Sequence, residues 1–182
     1  MSVDRPRLSV SYDDLYNLFE SRRSIRYYSQ TRSITEEELS KAITFASLTP
    51  TACNRQASRI YSFRDKMKIE RILDSQLGDQ GWCKNADTLF IITSNQSYFG
   101  GIYERTQAYV DAGLFSMNFM MGLHVQNIAT CFKMYVRDGV KDKAIRKIAN
   151  IPENEIPIVL ILAGHYPDNK VNIPQSFRFT KV

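Results

Sequence analysis

The stretch AGLFSMNFMMGLHV, residues 112–125, is the part of the sequence that decides the fold. Apolar side chains occupy almost every position of this segment, so a helix formed by it has no polar face to turn toward water. Such a helix is stable only when neighbouring elements cover most of its sides. We therefore predict a long buried core helix over about residues 104–126, covered by the rest of the domain or by a partner chain.

The segments on both sides of this helix predict a mixed domain of helices and strands. Short apolar or alternating runs predict strands at residues 59–63, 88–93, 131–136 and 156–163. Helical spacing predicts further helices at residues 11–20, 35–48, 66–73 and 140–149. Because helices and strands alternate without repeats or low-complexity tracts, we expect a single domain over residues 1–182.

Two helices carry clear start signals. Ser11 is expected to cap the first, and Thr35 to cap the second through a capping box with Glu38. One apolar face is predicted on each helix, formed by Leu15, Leu18 and Phe19 on the first and by Leu39, Ile43 and Ala46 on the second. After residue 165 there are two prolines and no helical period, which predicts an extended C-terminal arm over about residues 165–182.

Composition argues against several classes of protein. Three cysteines lack metal-ligand spacing, and two histidines are too few to indicate a His-based metal site or a catalytic triad. The net charge of +5 is spread along the chain, as on a solvated surface rather than on a nucleic-acid-binding face. No apolar run approaches the roughly 20 residues of a membrane span, and no secretory signal begins the chain. We expect a cytoplasmic protein with reduced thiols that holds no metal and binds neither nucleic acid nor membrane.

The densest polar cluster is Arg22-Arg23-Ser24-Ile25-Arg26, just past the first predicted helix. Guanidinium groups with an intervening hydroxyl suit a phosphate dianion, because arginine offers planar, bidentate donors and keeps its charge near neutral pH. Cations at a helix C-terminus also favour the helix dipole, so the cluster alone fits a structural role equally well. The usual GxGxxG, P-loop and HExxH motifs are absent from the sequence.

Two connecting segments are further candidates for ligand contact. In TPTACNRQ, residues 49–56, small residues permit a close approach and amides could bond a heterocycle edge, although proline and asparagine also simply make a loop. In NIATC, residues 127–131, the core helix meets a strand, where backbone N–H groups could contact a cofactor. A nucleophilic Cys131 would need a neighbour that lowers its pKa, and none is near in sequence, so we favour a buried thiol.

Four blocks of the sequence, in the same order, resemble motifs of the nitroreductase-like family. RRSIRYYS resembles the N-terminal flavin-phosphate motif, and TPTACNRQASRIYSF resembles the APS-x-x-N-x-QPW segment. YVDAGLFSMNFMMGLHVQNIATC resembles the core helix D-x-G-x-x-x-x-N-L-x-L-A-A-x-x-x-GLGTC, and IPENEIPIVLILAGHYP resembles the strand and turn IPE-x-E-x-x-x-x-x-IGYP. The resemblance implies an α+β fold with a central, mostly antiparallel sheet flanked by helices, and a C-terminal arm that contributes to a dimer.

The resemblance also implies a homodimer with FMN held in two sites shared between the subunits. The residues that match the phosphate, ribityl and pyrimidine contacts are Arg22, Arg23, Ser24 and Arg26, with Arg178 as a late phosphate-binding arginine. The loop residues that would pack on the flavin of the other subunit are Pro50, Thr51, Ala52 and Asn54. Backbone at Ala129 and Thr130 would approach flavin N5 and O4, and Asp79 is the candidate contact to the pyrimidine ring.

In this family NAD(P)H gives a hydride to flavin N5 and leaves, and a nitroaromatic, quinone or enone acceptor is then reduced. The resemblance therefore implies an FMN-dependent NAD(P)H oxidoreductase with a ping-pong mechanism and no catalytic side chain, since the flavin carries the chemistry. The alternatives are a pathway-specific flavin enzyme acting on one metabolite and a flavin-binding module without turnover.

Two segments depart from the family pattern. Ala57 follows Gln56 where the family has Pro-Trp, and Asn127-Ile128-Ala129 stands in place of Gly-Leu-Gly. Because alanine lacks the freedom of glycine at positive φ, this departure leaves open the loop geometry and the contact to flavin N5.

Overall fold

The computed structural model describes residues 9–76, 81–169, 172–174 and 176–179 of the chain. In this part a four-stranded sheet lies between two layers of helices, and each face of the sheet is covered by its own apolar cluster. The predicted α+β domain with an antiparallel sheet flanked by helices is confirmed.

The strands are β1 (Ser58–Phe63), β2 (Thr88–Asn95), β3 (Ile128–Met134) and β4 (Glu155–His165). They lie in the order β1-β2-β4-β3, and every neighbouring pair is antiparallel. The central strands β2 and β4 are buried at almost every position, as expected for strands covered on both faces. β3 begins three residues before the predicted start at residue 131, because Ile128, Ala129 and Thr130 pair with the end of β4.

The helices are α1 (Tyr12–Ser21), α2 (Glu36–Ser47), α3 (Lys66–Asp74), α4 (Gln107–His124) and α5 (Gly139–Ala149). Ser11 and Thr35 cap α1 and α2 through reciprocal capping boxes, as predicted for Thr35. The core helix α4 begins later than predicted, because residues 102–104 form a separate short 3₁₀ turn before it.

The helices α2 and α4 pack closely on one face of the sheet. Phe90 of β2 meets Phe119 of α4 edge to face, with 5.0 Å between the ring centroids. At Gly122 the two helices approach so closely that an added Cβ would lie 3.0 Å from the Cα of Ala42. Glycine and alanine at this crossing therefore set the distance between α2 and α4.

The other face of the sheet carries α3 and α5. Leu89 and Ile91 of β2 alternate with the residues that face α2 and α4, so each face receives its own apolar set. Against them pack Ile69, Ile72 and Leu73 of α3 and Ile145 and Ala149 of α5. With this second layer of helices, both faces of the sheet are covered.

Some apolar side chains that the sequence placed inward lie at the surface of the single chain. The helix α1 has no buried residue, and Leu15 and Phe19 of its apolar face are each 49% exposed. The prediction for Ile43 was wrong, since this residue is 40% exposed while Ala42 takes the inward position. Within residues 112–125, Leu114 and Val125 are exposed in the single chain, so the rest of the domain covers this segment only in part.

Within the described ranges no helix is long and apolar enough to cross a membrane. In the same residues no group of His, Cys, Asp or Glu side chains is arranged to hold a metal ion.

The contact at Gly122 gives the first testable prediction. Gly122→Ala should lower the free energy of unfolding by roughly 1 to 2 kcal/mol, because overpacking against the Ala42 backbone outweighs the ~1 kcal/mol gain in helix propensity. Gly139→Ala is the matched control, since an added Cβ there meets nothing within 4 Å. Urea unfolding of both variants measures the difference. Equal stability of the two would mean that α2 and α4 separate at little cost.

Candidate functional site

A basic cleft opens beside the C-terminal end of α1. Its volume is about 680 Å³. The residues that line it are Tyr16, Phe19, Glu20, Arg22, Arg23, Ser24, Pro174, Ser176, Phe177 and Arg178. The structure thus brings together four of the predicted phosphate-site residues, Arg22, Arg23, Ser24 and Arg178, from opposite ends of the chain.

The local fold explains how the N-terminal arginines reach the cleft. Arg22 follows α1 with extended backbone angles, φ −66° and ψ 125°, so the helix ends and the chain turns toward the sheet. The N–H of Ile25 then donates to the carbonyl of Thr130 at 2.9 Å, and the Ile25 side chain is buried. Anchoring of Ile25 to the edge of β3 fixes the neighbouring residues 22–24 along the cleft wall.

Positive charge in this cleft lacks an acidic partner. Burial lowers the pKa of Arg22, and the nearby guanidinium groups of Arg178 and Arg23 lower it further. Within the described residues no carboxylate lies in ion-pair distance of these three arginines, although Glu20 is on the cleft wall. Like charges held together favour binding of an anion, and the planar donors of arginine suit a phosphate.

Arg26 and Cys131 lie next to this cleft without lining it. Arg26 is exposed, and its charge acts on the thiol of Cys131. Burial raises the pKa of Cys131, and the opposing effects of Arg26 and Ser24 do not cancel it. Since the thiol is 1% exposed, the structure favours the buried-thiol interpretation over a nucleophile.

Ala129 and Thr130 are strand residues rather than loop residues. Both are buried, and Ala129 pairs with Gly164 of β4. The left-handed conformation falls instead on Asn127, with φ 57°, a residue type that tolerates it better than alanine. Replacement of the family's Gly-Leu-Gly therefore does not require a positive φ at Ala129.

Residues 49–56 form a constrained loop between α2 and β1. Ala52–Asn54 make a short 3₁₀ turn, and Cys53, Asn54 and Gln56 have φ values of 50°, 53° and 51°. Left-handed conformations of non-glycine residues cost roughly 1 to 2 kcal/mol each, and such strain is concentrated at ligand-binding segments. The strained conformations therefore make residues 49–56 a candidate ligand-binding segment.

Two polar side chains of α4 hold this loop in place. The buried carboxylate of Asp111 accepts hydrogen bonds from the Ala52 N–H at 3.1 Å and from the Gln107 side chain at 2.7 Å. Asn118 donates to the hydroxyl of Thr49 at 2.8 Å. Sequence reasoning did not single out Asp111 or Asn118. The signal was an acid and an amide within a largely apolar helix, because buried polar groups need partners.

A second cavity of about 350 Å³ lies beside this loop. It is lined by Ile43, Ala46, Ser47, Thr49, Thr51, Gln56, Ser58, Arg59, Ile60 and Phe115. Among the described residues it shares no lining residue with the basic cleft, so one chain does not bring Thr51 and its loop to the arginines. Asp79, the remaining predicted contact, lies outside the described residues.

The fold defined by this sheet and its helices is that of known nitroreductase structures. A Bacillus subtilis protein provisionally described as the nitroreductase ydfN matches with a TM-score of 0.81 and 17% identity, over 93% of this chain and 96% of that one. A structure described as an FMN-dependent nitroreductase from Clostridium difficile R20291 matches with a TM-score of 0.73 and 19% identity, over 92% and 99% of the two chains.

Sequence similarity identifies the family to which the chain belongs. The sequence model described as the nitroreductase family matches residues 19–79 and 73–165, and the chain therefore belongs to the nitroreductase family. An Archaeoglobus fulgidus protein with the provisional name NADH dehydrogenase/NAD(P)H nitroreductase is 24% identical over 159 residues, covering 87% of this chain and 88% of that protein. Membership of the family confirms the resemblance that the four sequence blocks indicated.

Removal of the Asp111 carboxylate tests how the loop is held. Asp111→Ala should lower the free energy of unfolding by about 1 to 3 kcal/mol, because the Ala52 N–H and the Gln107 amide lose their acceptor. Hydrogen exchange of the loop amides should accelerate, whereas Asp111→Asn, which keeps one acceptor oxygen, should change both less. Asp74→Ala is the control, since it removes only a surface ion pair. Unchanged loop exchange in Asp111→Ala would contradict the role of this residue.

Proposed function

We propose that the protein is an FMN-dependent NAD(P)H oxidoreductase that reduces a small organic acceptor. The observation that carries this proposal is the cleft in which Arg22, Arg23 and Arg178 converge without an acidic partner among the described residues. Family membership supports an oxidoreductase, and one structural neighbour is described as FMN-dependent.

The donor set of the basic cleft fits the terminal phosphate of FMN. Arg22, Arg23 and Arg178 would neutralise the dianion, Ser24 would add a hydroxyl, and Arg26 would lie nearer the pyrimidine edge. Burial lowers the pKa of Arg22, and so do the nearby guanidinium groups of Arg178 and Arg23. A bound phosphate would relieve the repulsion among these groups. When bound, FMN would supply two-electron transfer from NAD(P)H to the acceptor.

The remaining residues would bind and shield the flavin. Pro50, Thr51, Ala52 and Asn54 would come from the other subunit and cover the ring, in the conformation that Asp111 maintains. Backbone at Ala129 and Thr130 would border the flavin from β3. No side chain of this chain is assigned a proton-transfer role.

We propose a homodimer as part of this function. The basic cleft and the loop lie at separate cavities of one chain, so a site that contains both needs two copies. Apolar side chains are exposed on α1, on α4 and on the arm, among them Phe19, Leu114 and Phe177. A second copy would remove these groups from water. Three cysteines without a disulfide fit a reducing compartment such as the cytoplasm.

Purified or FMN-reconstituted protein tests the proposal directly. Light scattering should give twice the 21.0 kDa chain mass, with two FMN per particle identified after heat release. Anaerobic NADH or NADPH should bleach the flavin band, because the bound flavin accepts the hydride. A flavin that stays oxidised would indicate a binding module without turnover. FAD in place of FMN, or a flavin-loaded monomer, would contradict the assigned site.

Arg22 provides the sharpest mutational test. Arg22→Ala should weaken FMN binding about 10-fold to 100-fold, since a charge-assisted hydrogen bond contributes roughly 1.5 to 3 kcal/mol. Arg22→Lys should recover only part of the affinity, because a point charge cannot reproduce the planar fork. Quenching of FMN fluorescence measures the affinity, and exposed Arg32→Ala is the charge-matched control. Full FMN affinity together with a less stable apoprotein would show that Arg22 only terminates α1.

A further inference from the structure

The cavity between the end of α2 and the start of β1 has the properties of a small-molecule site. Its apolar wall is formed by Ile43, Ala46, Ile60 and Phe115. Its volume of about 350 Å³ suits a ligand of one ring with a substituent, because small-molecule sites begin at roughly 300 Å³. Arg59 is the charged residue that lines this cavity, and it determines the chemistry of the ligand.

Arg59 is held in a fixed orientation by neutral groups. Its guanidinium donates to the carbonyls of Gln56 and Ser58 at 2.9 and 2.8 Å, and to the hydroxyl of Tyr98 at 3.3 Å. No carboxylate lies in ion-pair distance of Arg59 in the part of the chain that the structure describes. Its neighbour Arg55, by contrast, is paired with Glu104 at 2.7 Å. The charge of Arg59 is thus oriented and uncompensated, as in a preorganised anion site.

We propose that this cavity binds a small planar carboxylate, an aromatic or enone acid, as the electron acceptor of the enzyme. The apolar body would lie against Ile60 and Phe115, and the carboxylate would bind the guanidinium of Arg59. Thr51 belongs to this cavity and to the loop assigned to the flavin, which relates the acceptor to the redox site. The acceptor role rests on the proposed function, whereas the carboxylate site itself does not.

Calorimetry on the protein as purified tests the site with a matched pair, 4-methylbenzoate and 4-methylbenzamide. The wild type should bind the acid about tenfold more tightly than the amide, because only the acid forms the charge-assisted bonds. Arg59→Gln should bring this ratio close to one, and Arg59→Lys should restore part of it. Arg64→Gln removes the same charge from the surface ion pair with Glu36 and should keep the wild-type ratio.

The acceptor role has its own measurement. The KM ratio of 4-nitrobenzamide to 4-nitrobenzoate should be about ten in the wild-type holoprotein and should fall toward one in Arg59→Gln. Equal binding of acid and amide by the wild type would overturn the site, as would equal losses in Arg59→Gln and Arg64→Gln. A change only in the preference for NADPH over NADH would assign Arg59 to the dinucleotide phosphate and would also overturn it. Arg59-dependent acid binding by a protein that takes up no flavin would contradict the oxidoreductase and leave the carboxylate site intact.

Discussion

The close crossing of α2 and α4 at Gly122 and Ala42 is the constraint on which the rest of the molecule depends. It fixes the end of α2, from which the loop of residues 49–56 leaves, against the helix that carries Asp111 and Asn118. Because both anchors lie on α4, a shift of the crossing would move the loop away from its hydrogen-bond partners. This one contact therefore links the packing of the core to the position of the loop.

Most of the architecture could be predicted from local patterns. The apolar runs at residues 88–93 and 156–163 indicated the two central strands, and the capping box at Thr35 fixed the start of α2. Ile43 was wrongly predicted to face the core, because helical spacing does not distinguish a side chain that faces the core from one at the surface of the domain. The smaller Ala42 lies instead where α4 comes closest to α2. The early start of β3 depends on pairing with β4, which no local pattern contains.

The candidate site, like the fold, could be predicted from the sequence only in part. The arginine cluster at residues 22–26 was visible in the sequence, and the structure adds that Arg178 meets it in one cleft. The roles of Arg59 and Asp111 could not be recognised, since the effect of a charge depends on the groups that surround it in three dimensions. Asp111 is buried and accepts hydrogen bonds, whereas Arg59 donates to neutral groups and has no carboxylate in ion-pair distance among the described residues. The sequence alone does not separate these two states.

The sheet topology has a consequence for how the chain reaches its native state. The central pair, β2 and β4, is formed by segments that are separated along the chain by α4, β3 and α5. Closure of such a long loop is entropically costly, and folds dominated by distant pairings form more slowly than helical bundles. Until β4 is synthesised and docked, β2 is paired only with β1, and β3 has no partner strand. Unpaired strand edges promote association between chains, so a newly made chain is most prone to aggregation during this interval.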